Sequence, residues 1–187
     1  MTPQSPDLEH RSALEIRAEG SRIVGLAIPF DSRSRDLGGF VEIVRSQAVD
    51  RSIGGDVVAL YDHQSGSILG RTPTTLQLRK DDRGLAFTIT PPDTQIGRDA
   101  LTLVGRGDLK GASFGFRTLK DAWSTDGGTT IRELLDIEIA EISLTAFPAY
   151  AETDAKIAQR SFAAFQALQQ GQRIDWLRMG LTARGDH

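Results

Sequence analysis

The sequence predicts a mainly β protein with a few helices (α+β), and three observations lead to this prediction. Short runs of branched and aromatic residues alternate with polar residues over most of the chain. Turn residues such as Gly20–Ser21 and Asp126–Gly127–Gly128 separate these runs as they do in hairpins. Only two long segments have apolar residues at helical spacing. The residues alone therefore favour an antiparallel β-barrel or a sandwich decorated with helices.

The first half of the chain is predicted as a series of strands. "LEIRAEG" and "RIVGLAIPF" form a hairpin, "FVEIV" forms a short strand, and "DVVALYDH" forms a strand that ends at His63. "SQAVDRSI" is predicted as a short helix, and "QSGSILGRTP" as turn and loop. "TTLQLRKDDRGLAFTITPP" forms the next hairpin because it alternates on both sides of a polar turn.

The second half begins with a helix, "QIGRDALTLVGRG", capped by Asp93 or Thr94. A glycine-rich strand at 109–118 follows, and a long hairpin returns through "DIEIAEISL". An amphipathic helix, "ETDAKIAQRSFAAFQALQQ", lies near the C terminus. We therefore divide the chain into a flexible N-terminal tail (1–12), a main β domain (13–155) and a C-terminal helix with its tail (156–187).

Composition argues against several classes of protein. The net charge is −3 and the basic residues are scattered, so a nucleic-acid partner is not expected. The chain has no cysteine, and its three histidines are far apart in sequence, so no metal site and no cofactor are predicted. It has no apolar run of the ~20 residues that span a bilayer and no signal-peptide pattern, so no membrane association is expected. A location in the cytoplasm, or packaged inside a larger assembly, follows from these features.

The stretch "LKGASFGFRT" has an unusual pattern for a strand. One face carries alanine and two phenylalanines, whereas the other carries only Gly111, Ser113 and Gly115, because successive side chains alternate. Glycine inside a strand often marks a place where another group comes close. Ser113 is therefore either a small residue in a tight strand crossing or a nucleophile with an open approach.

Two further residues suit a serine nucleophile. His63 is the only histidine in the predicted ordered body, and it either caps its strand or serves as a general base. Glu141 continues a strand face begun by two isoleucines, where a carboxylate needs a partner. That partner is either an arginine or the N–H group of an imidazole.

Taken in order, "LYDHQSGSILGRT", "LKGASFGFR" and "IAEISLTAFPAYAET" resemble the prohead (capsid-maturation) serine proteases of tailed bacteriophages, a family related to the herpesvirus assemblin proteases. The resemblance covers about residues 14–155. It implies an assemblin-like fold, a closed or nearly closed antiparallel β-barrel surrounded by helices. Its motifs imply that His63 is the general base, Ser113 the nucleophile and Glu141 the third member. They also imply that Arg71, or backbone amides near Gly115, stabilise the oxyanion or bind the substrate. Arg117 is a further candidate for this role.

The resemblance implies a serine endopeptidase that cleaves the scaffolding segment of the major capsid protein, and itself, during prohead maturation. The enzyme would act in the bacterial host cytoplasm, inside the assembling prohead. Two alternatives stay open: a catalytically inactive scaffolding or minor capsid protein that keeps the fold, and a small esterase without a capsid partner. The C-terminal helix is expected to dock on the barrel, to pair with a second copy in a homodimer, or to direct the protein into the shell.

Overall fold

The computed structural model describes residues 8–13, 15–146 and 156–178. About half of these residues lie in strands, joined by three helices and a short 3-10 turn at Ser46–Val49. The strands are β1 (Glu9–Ala13), β2 (Glu15–Glu19), β3 (Arg22–Pro29), β4 (Val41–Val44), β5 (Val58–Tyr61), β6 (Gln64–Arg71), β7 (Leu76–Asp81), β8 (Gly84–Ile89), β9 (Gly111–Asp126) and β10 (Thr129–Thr145). The helices are α1 (Asp50–Ile53), α2 (Gln95–Arg106) and α3 (Lys156–Arg178).

The strands form two separate sheets. The larger sheet has the order β1-β9-β10-β5-β6, with β4 also paired to β10, and the smaller has the order β2-β3-β8-β7. Both β4 and β5 run parallel to β10, whereas the other pairings are antiparallel. The predicted α+β class is confirmed. The predicted closed barrel is not found among the described residues, because pairing does not continue from one sheet to the other.

One hydrophobic core joins both sheets and α2. The phenylalanine face of β9 points into it, where the rings of Phe114 and Phe116 stack with their centroids 5.4 Å apart. Helix α2 begins where the Thr94 side chain accepts a hydrogen bond from the Gly97 amide, as one of the two predicted caps requires. It ends at Gly107 in the left-handed conformation that suits glycine. The core therefore leaves the opposite face of β9, the Ser113 face, for other contacts.

Helix α3 docks on the β9–β10 hairpin and on the loop before β4. Trp123 of β9 stacks on Phe162 and Phe165 of the helix, with ring centroids 5.6 and 5.5 Å away. A β-carbon on Gly39 would lie 3.1 Å from the Phe162 ring, so the loop comes close to the helix. No helix in the described segments combines the length and apolar character needed to cross a membrane. Of the expected roles of this helix, docking on its own chain is the one observed.

Two segments differ from the sequence-based prediction. Residues 9–12, assigned to the N-terminal tail, form β1 and pair with the glycine-rich part of β9. "QSGSILGRTP", predicted as turn and loop, begins with β6, which pairs with β5 through two irregularities. Neither segment has a regular alternation of apolar residues, so pairing partners rather than local pattern make them strands.

Strand β1 is held by a buried cluster of charges. Glu9 and Glu42 lie beside the Arg132 guanidinium, whose Nη1 donates to their carboxylates at 2.8 and 3.1 Å. Arg11 donates to both glutamates as well. Burial raises the pKa of the Glu9 carboxyl, but the hydrogen bond and charge of Arg132, with the charge of Arg11, lower it below its ordinary value. The residues on both sides of His10 are thus fixed in the interior.

Candidate active site

Two rows of side chains cross the face of the larger sheet that points away from the main hydrophobic core. His10, Gly115 and Glu141 are direct neighbours across β1, β9 and β10. The next row along the strands is Ser12, Ser113 and Ser143. Directly opposed residues of paired strands share a face, and diagonal neighbours on that face lie roughly 7–8 Å apart. Ser113 and Glu141 are diagonal neighbours of this kind, so strand pairing itself places them together.

His63 reaches this face from the turn between β5 and β6. Tyr61 pairs with Gln64, so Asp62 and His63 form a two-residue loop, with φ angles of 50° and 58°. Such turns are normally built from Asn-Gly or Gly-Gly, because L side chains disfavour this left-handed region. The Asp62 amide donates to the Leu144 carbonyl at 2.9 Å, and that contact holds the turn on β10. Residues held in strained conformations cluster at functional sites, so the conformation of His63 marks it as a candidate functional residue.

The Glu141 carboxylate is the centre of the cluster. Its Oε1 lies 2.5 Å from His63 Nδ1 and 3.6 Å from His10 Nε2, and it accepts a hydrogen bond from Ser143 Oγ at 3.2 Å. The side chain is 13% exposed. Burial raises the pKa of the Glu141 carboxyl, but contacts with His10, His63 and Ser143 outweigh this effect and leave a pKa of about 2. At neutral pH the two imidazoles therefore face an ionised carboxylate.

His10 is the residue that sequence reasoning missed. It was assigned to the tail, yet β1 brings its ring to 4.9 Å from the His63 ring, edge to face. Gly115 makes this approach possible, because a β-carbon there would lie 2.8 Å from Glu141 Cγ and 3.1 Å from His10 Nε2. The glycine face of β9 is thus occupied by an imidazole and a carboxylate. The local sequence gives no signal for this strand, because residues 9–12 are polar on both faces.

Ser113 is fully buried, and its hydroxyl oxygen has no hydrogen-bond partner in the described part of the chain. The hydrogen bond to His63 that a ready nucleophile–base pair would show is therefore not formed. An unsatisfied buried hydroxyl costs ~1–3 kcal/mol, and in native proteins such a group calls for an explanation such as catalysis. Ser113 stands in the central strand of the row, flanked by the serines of β1 and β10.

The structure does not bring the predicted arginines into this cluster. Arg71 lies on the same sheet row as Glu141, two strands away, but its guanidinium pairs with Asp56 at the surface. Arg117 pairs with Glu138 at 3.3 Å. The oxyanion roles of Arg71 and Gly115 stay predictions. The structure shows a different role for Gly115: its missing side chain leaves room for Glu141 and His10.

The same cluster offers three metal-binding atoms. One atom each from His10, His63 and Glu141 lies within 4.8 Å of the other two. The prediction of no metal site rested on the absence of a histidine pair, and that premise is wrong, because the fold joins residues that are far apart in sequence. Two imidazoles and a carboxylate are a common ligand set for Zn²⁺.

A serine, an imidazole and a carboxylate on one face are the groups that serine hydrolases use. The family model described as caudovirus prohead serine protease matches residues 7–167 of the chain. The chain therefore belongs to the caudovirus prohead serine protease family, as the sequence motifs predicted. Membership implies a serine protease and suggests capsid maturation in a tailed phage. Neither a curated protein nor a solved structure matches the chain.

Proposed function

We propose that this protein is a prohead serine endopeptidase whose catalytic residues are Ser113, His63 and Glu141. The observation that carries the proposal is the 2.5 Å contact between His63 and Glu141, on the sheet face and beside the row that holds Ser113. Family membership supplies the reaction class. The unsatisfied hydroxyl of Ser113 is consistent with a group that acts on a substrate rather than on a structural partner.

Each residue has one role in the mechanism. Ser113 Oγ attacks the peptide carbonyl while His63 Nε2 takes its proton, since Nδ1 faces Glu141. The carboxylate holds the imidazole in this tautomer and stabilises its charge as the proton arrives. His63 then gives the proton to the departing amine, and water activated by the same ring hydrolyses the acyl-enzyme. His10 and Ser143 hold the carboxylate in place.

Ser113 must be uncovered before a peptide can reach it, because the hydroxyl has no exposed surface. Hydrogen bonds between nucleophile and base often tighten only in the substrate complex. Substrate binding therefore has two tasks, to open the Ser113 face and to bring the hydroxyl and the imidazole together. The resting enzyme is then a poor hydrolase of small esters, which disfavours the esterase alternative.

The proposed substrate is the scaffolding segment of the major capsid protein, with self-cleavage as a second event, and membership of a prohead protease family supports this choice. The site of action is the assembling prohead in the host cytoplasm, where the capsid protein is the partner. A homodimer through α3 is a less favoured arrangement, since Phe162 and Phe165 already contact Trp123 of the same chain.

The decisive experiment is labelling with a fluorophosphonate during co-expression with the capsid protein. We expect the label on Ser113 by mass spectrometry and loss of capsid cleavage in Ser113→Ala. Ser12→Ala is the matched control, because it removes a hydroxyl from the same row and should leave labelling at Ser113 intact. Label on Ser12 instead would refute the assignment of the nucleophile.

The inactive alternative has one observation in its favour, the absence of a hydrogen bond from Ser113 to His63. The same experiment decides it. A folded wild-type protein that neither cleaves the capsid protein nor takes up the label during co-expression would be an inactive scaffolding or minor capsid protein.

A further inference from the structure

We propose that His10, His63 and Glu141 form a binding site for a divalent zinc ion, and that zinc bound there switches the protease off. Zinc binding rests only on the arrangement of these three side chains. The inhibition also rests on the proposed catalytic function. The two parts therefore have separate tests.

The ligand set is placed by parts of the fold that are fixed independently. His10 lies on β1 between two residues of the buried charge cluster, so its backbone is anchored on both sides. Glu141 lies on β10 opposite Gly115, and His63 lies on a two-residue turn attached to the same strand. Three donors that converge from three chain segments need little reorganisation to bind an ion.

The ligand atoms all lie within 4.8 Å of one another, and the two distances to Glu141 can be compared with those of a zinc site. Zn–N and Zn–O distances of about 2.0–2.2 Å in a tetrahedron place neighbouring ligand atoms ~3.4 Å apart. His10 Nε2 and Glu141 Oε1 are 3.6 Å apart, close to that value. The 2.5 Å contact of His63 Nδ1 with Glu141 Oε1 must open by roughly 1 Å, as it does when an ion replaces the shared proton. A water molecule completes the tetrahedron as the fourth ligand.

Charge and access also favour the ion. Glu141 is an acidic ligand that offsets part of the charge of the ion, and the two histidine side chains are 25% and 34% exposed, so the cluster is partly open to solvent. The complex of two neutral imidazoles, one carboxylate and Zn²⁺ carries one positive charge, where a hydroxide or a carboxylate of a substrate can add. The site is therefore open, in contrast to structural zinc sites with four protein ligands.

Zinc at this position blocks the proposed chemistry through the tautomer of His63. The metal takes the lone pair of Nδ1, and the ring proton moves to Nε2. Nε2 then has no lone pair to accept the Ser113 proton, so the hydroxyl cannot be activated. Glu141 is also withdrawn from its role of orienting the ring. Inhibition is reversible, because removal of zinc restores the original tautomer.

The test measures zinc binding by calorimetry on the full chain, with Co²⁺ absorption spectra as a report of tetrahedral coordination. We expect one tight zinc site in the wild type and the same affinity in Ser113→Ala, which removes the proposed nucleophile but no ligand. His10→Gln should weaken binding at least ~10-fold, in line with the loss of a ligand or its support. His187→Gln is the matched control for loss of a histidine and should bind as the wild type does.

Three results would overturn the site. They are the absence of zinc binding in folded wild type, equal affinity in His10→Gln and the wild type, and an octahedral Co²⁺ spectrum. Because binding is measured in Ser113→Ala as well, it does not depend on proteolysis. Capsid cleavage is then measured with added zinc and with EDTA. If zinc binds but neither treatment changes the rate of cleavage, the inhibition is refuted while the zinc site stands. If zinc binds and the wild type never cleaves, the proposed function fails instead.

Discussion

Gly115→Ala is the substitution that tests the arrangement of the site most directly. A β-carbon at this position would lie 2.8 Å from Glu141 Cγ, whereas carbon atoms pack at about 3.5–4.0 Å. The Glu141 side chain or the strand must therefore move by at least ~0.7 Å. The same β-carbon would lie 3.1 Å from His10 Nε2, so movement toward β1 is blocked.

The displacement falls on the shortest contact of the site. A shift of this size away from His63 lengthens the 2.5 Å contact with Glu141 to about 3.2 Å, the outer limit of a normal hydrogen bond. Misplacement of a catalytic group by about 1 Å costs on the order of 10²-fold in rate. We expect a loss of that order in capsid cleavage and in the rate of fluorophosphonate labelling. Overpacking should cost only ~1–3 kcal/mol of stability, so the variant should still fold.

The assay compares labelling rate and thermal unfolding for Gly115→Ala and a control, Gly105→Ala. Gly105 lies in α2, where the nearest atom to an added β-carbon is Ala18 Cβ at 3.8 Å, an ordinary contact. Alanine is favoured over glycine in a helix by ~0.5–1 kcal/mol, so the control should keep its activity and gain stability. If Gly115→Ala labelled as fast as the control, Glu141 and His10 would not lie over Gly115 as described.

Three further predictions concern stability. Arg132→Met leaves two buried glutamates without their main cation and should lower the free energy of unfolding in urea by ~3–5 kcal/mol. Its control, Arg117→Met, breaks an exposed pair and should change this free energy by less than ~1 kcal/mol. Equal effects of the two substitutions would contradict the buried cluster. His63→Gly should be more stable than His63→Ala by ~1 kcal/mol, because both lose the imidazole but only glycine fits the positive φ; the reverse order would contradict the strained turn. The pKa of Glu141 is lowered from 4.5 to about 2, so the ionised carboxylate stabilises the folded state above pH 4.5, and this stabilisation is lost as the pH falls toward about 2. Between those pH values the free energy of unfolding of the wild type should therefore fall more than that of Glu141→Gln. Parallel curves of unfolding free energy against pH would contradict this prediction.

Local pattern was sufficient where an element carries its own signal. The hairpins around Gly20 and Gly127, the helix capped by Thr94 and the two-faced strand with Ser113 all follow from turn chemistry and periodicity. The motifs were also sufficient for the family, and the expected contact of His63 with Glu141 is present. These features depend on residues close in sequence or on sequence motifs that resemble those of the family.

Strand β1 could not be predicted in this way, because both of its faces are polar. Glu9 and Arg11 alternate with His10 and Ser12, so the segment has no apolar face to bury. It becomes a strand because Arg132, more than a hundred residues later, neutralises its buried carboxylate. The predicted barrel is not confirmed for a related reason: closure depends on edge pairing between distant strands, which local pattern does not encode.

The order of the strands along the chain also sets the time at which the cluster of His10, His63 and Glu141 becomes complete during synthesis. His10 leaves the ribosome first, but its strand has no partner until about 100 residues later, when β9 has been made. Glu141 follows last, so a chain growing at ~5–20 residues per second exposes His10 for several seconds before the carboxylate exists. No nascent fragment that stops short of β10 contains the complete cluster. If the cluster is catalytic as proposed, the newly made chain is thus inactive until β10 has folded.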